Sequence, residues 1–279
     1  MTEPILAAPA FRRFDEYLGC WAYEPERFLA QWQMIRGVDM TRHMAAPQPD
    51  RPAGYATLPA RGGKSIAVLK ATGTLMKQAS SFGGTSTIQL RRDVRQAAAD
   101  PNVSAILLAI DSPGGTTAGT ADLAADVRAA RKAKPVWAHI DDLGASAAYW
   151  VASQADMIFA NTSTALVGSI GTLLTVYDMS ASAEREGIKT LVFKTGPLKG
   201  AGVPGSVITD EQRAHFQKIV DDGQSAFDAA VRSGRGMTAA ELAAVRTGGV
   251  FGAAEALSLK LIDGVRSLDK TIEALANAK

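Results

Sequence analysis

The chain has one cysteine, Cys20, and three histidines among 279 residues. A single thiol excludes an internal disulfide and a cysteine-rich metal site, and its expected role is that of a small, partly buried apolar residue. Long apolar runs are also missing. No window of about 18 apolar residues occurs, so no membrane span is expected. The opening stretch MTEPILAAPAFRRFDEY has an acidic residue at position 3 and neither a basic leader nor a sustained apolar core, so export is not expected either, and a cytoplasmic setting is. Charge of one sign is equally scarce: 30 Lys and Arg stand against 28 Asp and Glu, a net +2 with no long block of either sign. That balance gives no basis for a nucleic-acid groove.

What is present is length enough for a full core and a regular alternation of short apolar runs with amphipathic segments. Residues 1–45 carry Trp21, Phe28, Leu29, Trp32 and Ile35 at helical spacing and are expected to form an N-terminal helical extension. The proline-rich, polar stretch after it makes 46–63 a linker, and 64–279 the main domain. Within that domain IAVL, AILLAI, PVWAHI, MIFA and TLVFK are candidate strands. Helices are expected over TIQLRRDVRQAAAD, TADLAADVRAARKA, from about Ala145 to Ala155, over SASAEREG and from about Asp210 to Arg232. Repeated β-then-α units predict an α/β fold, a largely parallel sheet with helices packed around it.

Ligands of such sheets gather at the carboxyl ends of the strands. After AILLAI comes DSPGG, where Gly114 and Gly115 permit a backbone approach that a side chain would block, and where two neighbouring amides could face an oxyanion. After PVWAHI comes DDLGASAAYW, which places Ser146 at the start of the next helix, among small residues. A serine there is either a helix cap or a nucleophile favoured by the positive end of the helix. The stretch lacks the second glycine of G-x-S-x-G, since Ala148 stands there.

A nucleophilic serine needs a base. His43 lies in the N-terminal region, His215 on a late helix, and His139 inside a strand where a packing role is expected. Lysine is the alternative. Lys199 follows TLVFK in the small-residue loop TGPLKGAG and is preferred over Lys194, which ends the strand itself. A lysine amine, with a reference pKa of about 10.4, is a useful base near neutral pH only where desolvation lowers that value by several units, so this role requires burial. Ser169, bracketed by Gly168 and Gly171, could orient such an amine or simply serve its turn.

From about Lys64 to Val265, the ordered set DSPGG, ASAAYWVASQAD, VGSIGT and TGPLK resembles the serine/lysine peptidase family of bacterial signal peptide peptidase A, and within it the phage head-maturation, or capsid assembly, proteases. The resemblance implies a fold like that of the Clp protease and crotonase superfamily. It also implies a serine endopeptidase with Ser146 as nucleophile, Lys199 as general base, Ser169 as the partner of that lysine, and amides near Gly114, Gly115 or Ala147 as oxyanion donors. No metal or cofactor is implied. The partners it implies are a protein or peptide substrate, of the scaffold or capsid kind in the phage branch, and further copies of the chain in a homo-oligomer. For that branch the setting is the host cytoplasm or the procapsid. Ala147 and Ala148 depart from the two glycines that many relatives carry after the serine. Two other readings remain open: a crotonase-like acyl-CoA enzyme using Asp141 or Asp142, and a catalytically silent oligomeric assembly protein.

Overall fold

The computed structural model describes residues 19–39, 54–78 and 83–278. His43, residues 46–53 of the expected linker and both ends of the expected N-terminal extension lie outside the described residues.

The central sheet is built on four parallel strands, β3 (Ser65–Thr72), β6 (Val103–Ser112), β8 (Val136–Ala145) and the short β10 (Leu166–Gly168), in spatial order β3-β6-β8-β10. Antiparallel strands close both edges: β2 (Ala56–Pro59) beside β3 and β11 (Val250–Gly252) beside β10. β9 (Met157–Ala160) runs parallel to the first half of β8 and carries β12 (Gly264–Val265) on its other side. The expected largely parallel α/β sheet is present. The sheet starts earlier than the expected boundary at Lys64, because Ala56–Pro59 is already hydrogen-bonded to β3.

The unbroken apolar stretch of β6 is buried on both faces, as a central parallel strand should be. On one side lie α2 (Thr87–Ala99) and α3 (Thr120–Ala130), whose Leu90, Val94, Leu123 and Val127 join the main core with Ile106, Leu108 and Ile110. On the other, Leu275 of α9 (Leu268–Ala276) packs with Ile66, Ala105 and Leu107. Along the chain between α3 and α9 come α4 (Ala147–Ala152), α5 (Ser180–Arg185), α6 (Asp210–Arg235), α7 (Ala239–Val245) and α8 (Ala253–Ser258). α6 opens with a reciprocal capping box between Thr209 and Gln212 and closes on Gly236 in the left-handed conformation.

A second, four-stranded sheet sits beyond the carboxyl end of β6. Its order is β1 (Trp21–Tyr23), β7 (Gly114–Thr116), β4 (Leu75–Met76), β5 (Thr85–Ser86). The N-terminal segment is therefore part of the fold: β1 pairs with the glycine-bearing strand, and α1 (Pro25–Arg36), capped by the Glu24 carboxylate, covers it. The strand expected over TLVFK does not form. Residues 186–209 contain no strand and no helix, so neither Lys194 nor Lys199 stands at a strand end.

Candidate active site

β8 runs five residues past the strand end expected from its apolar stretch. Ile140 is opposite Ile110, but Gly144 is opposite Ser112, so β8 has two more residues than β6 over this step. A bulge of this kind bends the strand and pushes residues out of the ladder. Here it expels Asp141 and Asp142, both exposed, and brings Gly144-Ala145-Ser146 alongside Ser112-Pro113-Gly114.

Ser146 is the residue before α4, with φ 56° and ψ −119°. Positive φ on a non-glycine residue costs about 1–3 kcal/mol and persists only where the surroundings over-determine it. They do: the Ser146 amide donates to the Gly168 carbonyl at 2.7 Å, and the Ser146 carbonyl accepts from the Trp150 amide at 2.8 Å. The result is the sharp strand-to-helix turn of a nucleophile elbow, made without the glycine two residues after the serine. The side chain forms no capping hydrogen bond. Its hydroxyl has only a long contact, 3.5 Å, to the Gly171 carbonyl. The helix-cap explanation of Ser146 therefore fails.

The glycines of DSPGG meet this turn directly. A methyl group on Gly114, where φ is 106°, would lie 2.9 Å from both Ser146 Cβ and the Ala147 nitrogen, and 2.3 Å from the Ala22 carbonyl oxygen. On Gly115 it would lie 1.8 Å from the Leu75 carbonyl oxygen. Neither position has room for a side chain. The Gly114 amide is spent on Ser112 Oγ at 3.2 Å, while that hydroxyl donates to the Gly73 carbonyl at 2.6 Å. Of the three expected oxyanion amides, Gly114 is thus turned inward. Ala147, the first helical residue, has no intrahelical acceptor. Gly115 is paired across the small sheet with Ala22.

Ser169 directly follows Gly168, the residue that anchors the Ser146 amide. It is buried, with φ 51°, and its hydroxyl donates to the Gly248 carbonyl at 3.2 Å rather than to a lysine. Lys199 is exposed, and its side chain makes no hydrogen bond or ion pair among the described residues. Lys194 Nζ donates to the Pro197 carbonyl at 2.9 Å. The fold therefore brings Ser146, Gly114, Gly115, Ala147 and Ser169 together, whereas Lys199 is exposed and bonded to none of them.

The histidines do not replace it. His139 is buried with Nδ1 3.1 Å from Thr271 Oγ1, and burial holds its pKa below the ordinary value; His215 is exposed on α6. Among the carboxylates of the crotonase-like alternative, Asp141 accepts from Asn161 Nδ2 at 2.8 Å. Asp142 and Asp111 line a cavity of about 750 Å³ with Tyr23, Arg27 and Pro113. Desolvation and then the nearby Asp142 and Asp141 push the Asp111 carboxyl up.

Two participants escaped the sequence reading. Ser112, inside DSPGG, fixes the glycine turn from within, and β1 lies against that turn although Trp21–Tyr23 is only three residues long. A hydroxyl directly before Pro-Gly-Gly was a usable signal for the first; no local signal announced the second.

The chain is 31% identical over 217 residues to "Capsid assembly protease C" of Escherichia phage lambda, a match covering 76% of this chain and 49% of that protein. It is 29% identical over 219 residues to "Protease 4" of Salmonella typhi, covering 78% of this chain and 35% of that one. It thus spans half or less of the length of these relatives. A ClpP1 variant from Listeria monocytogenes overlays with a TM-score of 0.46 at 10% identity, over 72% of this chain and 92% of that one, too loosely to carry an argument. The model for Peptidase family S49 matches residues 128–279, which include the serine turn, Ser169 and everything after them. On that match, the chain belongs to peptidase family S49.

Proposed function

We propose that the chain is a serine endopeptidase with a Ser146/Lys199 dyad that is completed between copies of the chain. The observation that carries the reading is Ser146 itself: a strained, uncapped hydroxyl at a strand-to-helix turn, against two glycines that have no room for a side chain. Such strain is retained where a nucleophile must be presented, and a serine with no structural task has no other reason to keep it.

In this mechanism Lys199 of a neighbouring copy takes the Ser146 proton as Oγ attacks the peptide carbonyl. The amides of Ala147 and Gly115 hold the oxyanion, and the protonated amine then gives its proton to the departing amine. Water repeats the sequence on the acyl-enzyme. Ser169, beside Ser146 through Gly168, orients the incoming amine. No step calls for a metal or a cofactor.

Support for the shared dyad comes from the segment that bears the lysine. Leu191 is 65% exposed, Phe193 94% and Val207 66%, with Tyr177, Met179 and Ile188 also exposed. An apolar surface of this density on a single chain marks a protein–protein contact, and burying it against a second copy would also desolvate Lys199. The lambda relative's name, a capsid assembly protease, supports a substrate taken from capsid assembly, of the scaffold or capsid kind, with cutting in the host cytoplasm or the procapsid.

The test is subunit complementation. Ser146→Ala and Lys199→Ala chains, each assayed on casein and on a co-expressed scaffold protein, should each lose about a thousandfold or more in rate. Co-expressed in equal amounts they should recover about a quarter of wild-type activity, because random assembly pairs an intact serine with an intact neighbouring lysine that often. Absence of recovery while the wild type cleaves would overturn the shared dyad. Equal cleavage by Ser146→Ala, or none by the assembled wild type, would overturn the peptidase reading, and coenzyme A binding without acylation of Ser146 would point to the crotonase-like alternative.

A further inference from the structure

Ser146 and Ala22 are both 0% exposed. A nucleophile that acts on other proteins cannot work from a sealed position, so what seals it matters. The answer is β1. Trp21–Tyr23 runs antiparallel to Gly114–Thr116 with Ala22 opposite Gly115. Along its other edge the Trp21 amide donates to the Leu173 carbonyl and the Leu173 amide to the Trp21 carbonyl, both at 2.8 Å. The segment is therefore hydrogen-bonded on both sides, between the strand that leaves DSPGG and the strand-like residues that follow Gly171.

Its register is the telling detail. The Thr117 amide donates to the Cys20 carbonyl at 3.1 Å, and the Glu24 amide to the Pro113 carbonyl at 2.7 Å. In an antiparallel ladder bonded pairs alternate with unbonded ones, so Ala22 and Gly115, midway between these two, form a bonded pair. The Gly115 amide is thus committed to the Ala22 carbonyl. That carbonyl oxygen, Ser146 Cβ and the Ala147 nitrogen all lie within 2.9 Å of one point, the place a Gly114 methyl would occupy. Trp21 and Tyr23 point the other way, into an aromatic cluster with Phe28 at ring distances of 5.5 and 5.7 Å.

Extended peptides bind by adding a strand to an exposed edge, with main-chain bonds supplying affinity. We propose that Cys20–Tyr23 is the resident occupant of the substrate lane, with the Ala22 carbonyl standing where a scissile carbonyl would stand, and that β1 must leave before a substrate can enter. A strand that merely completed a sheet would have no cause to take up the proposed oxyanion amide beside the nucleophile. The inference rests on the peptidase reading of Ser146 and adds to it an autoinhibitory strand and a small side chain at the residue whose carbonyl meets the serine.

The test locks β1 in place. Trp21 and Thr116 face each other at an unbonded position, where Cα atoms are about 4.5 Å apart and a disulfide can form. The 279-residue chain carrying Trp21→Cys and Thr116→Cys in a Cys20→Ser background is compared oxidised and reduced, by Ser146 labelling with a fluorophosphonate and by anisotropy of a fluorescein-tagged peptide GCWAYEP. The oxidised form should label at least about tenfold more slowly than the reduced form and bind no peptide. Equal labelling and equal binding in the two forms would overturn the inference while leaving the peptidase reading intact. Peptide binding that switches with oxidation, with no labelling in either form, would support the occupied lane and sink Ser146 as nucleophile. A second measurement needs no variant: hydrogen exchange over residues 19–24 of the wild-type chain should speed up once a peptidyl phosphonate is attached to Ser146, and unchanged protection would overturn the displacement of β1.

Discussion

Trp150 lies flat on Phe227, ring centroids 4.7 Å apart and planes 8° from parallel. The stack fastens α4, and with it the turn at Ser146, to the long helix α6. Phe227 is fully buried, so Phe227→Ala should lower stability by about 3–5 kcal/mol through lost burial and the cavity left behind. Urea unfolding measures the loss, and phosphonate labelling of Ser146 in the folded variant should slow in parallel.

Gly114→Ala should abolish the site while sparing most of the fold. The added methyl meets Ser146 Cβ, the Ala147 amide and the Ala22 carbonyl at once, at a φ that L-residues rarely adopt. Displacing the proposed oxyanion amides should cost about a hundredfold or more in cleavage rate, the scale of losing one such donor. Circular dichroism with labelling kinetics separates this outcome from unfolding.

Asp263 holds three elements together. Its carboxylate accepts from Arg235 Nη2 and Nη1, at 2.8 and 3.0 Å, and from the Ile158 amide at 2.7 Å. The Arg235 side chain is 8% exposed. Asp263→Ala would leave that cation buried without its partner, a change that typically costs about 3–5 kcal/mol. Thermal unfolding at neutral pH should show the drop, and Arg235→Met/Asp263→Leu together should cost less than Asp263→Ala alone.

His139 gives the fold a pH dependence of known sign. Burial favours the neutral imidazole and lowers its pKa, so the unfolded chain takes up the proton first. The stability tied to neutral His139 is complete above the unfolded value of about 6.5 and is lost as pH falls through the lower folded value. The melting temperature should therefore fall from pH 7 toward pH 5 more steeply in wild type than in His139→Gln. Equal slopes would assign the acid lability to other groups.

Much of this architecture is legible in the sequence, and what is not has a physical reason. The apolar runs of β3, β6 and β9 announce themselves because both faces of a central parallel strand are buried. The end of β8 does not, because Asp141 and Asp142 interrupt the run and only pairing with Ser112 reveals them as a bulge. TLVFK has the β-branched and aromatic content of a strand, yet strand propensity is a statement about fitting a sheet, and this stretch pairs with no described strand. Ser146, Gly114 and Gly115 are readable as a cluster because successive strand ends converge. The bond from Ser169 to Gly248, 79 residues further on, is not, since nothing local in VGSIGT specifies it. β1 owes its existence to the edges it meets at Gly115 and Leu173 rather than to the character of Trp-Ala-Tyr.

Under the shared dyad proposed above, the bare Phe193 ring, in the same irregular segment as Lys199, would tie chemistry to abundance. A solitary copy with its amine in water would be idle, and dilution would keep it so. Crowding would reverse this: as copies gather in a confined volume, mass action would hide the aromatic surface and bring each serine a neighbour's amine. Copy number itself would then decide when cutting begins.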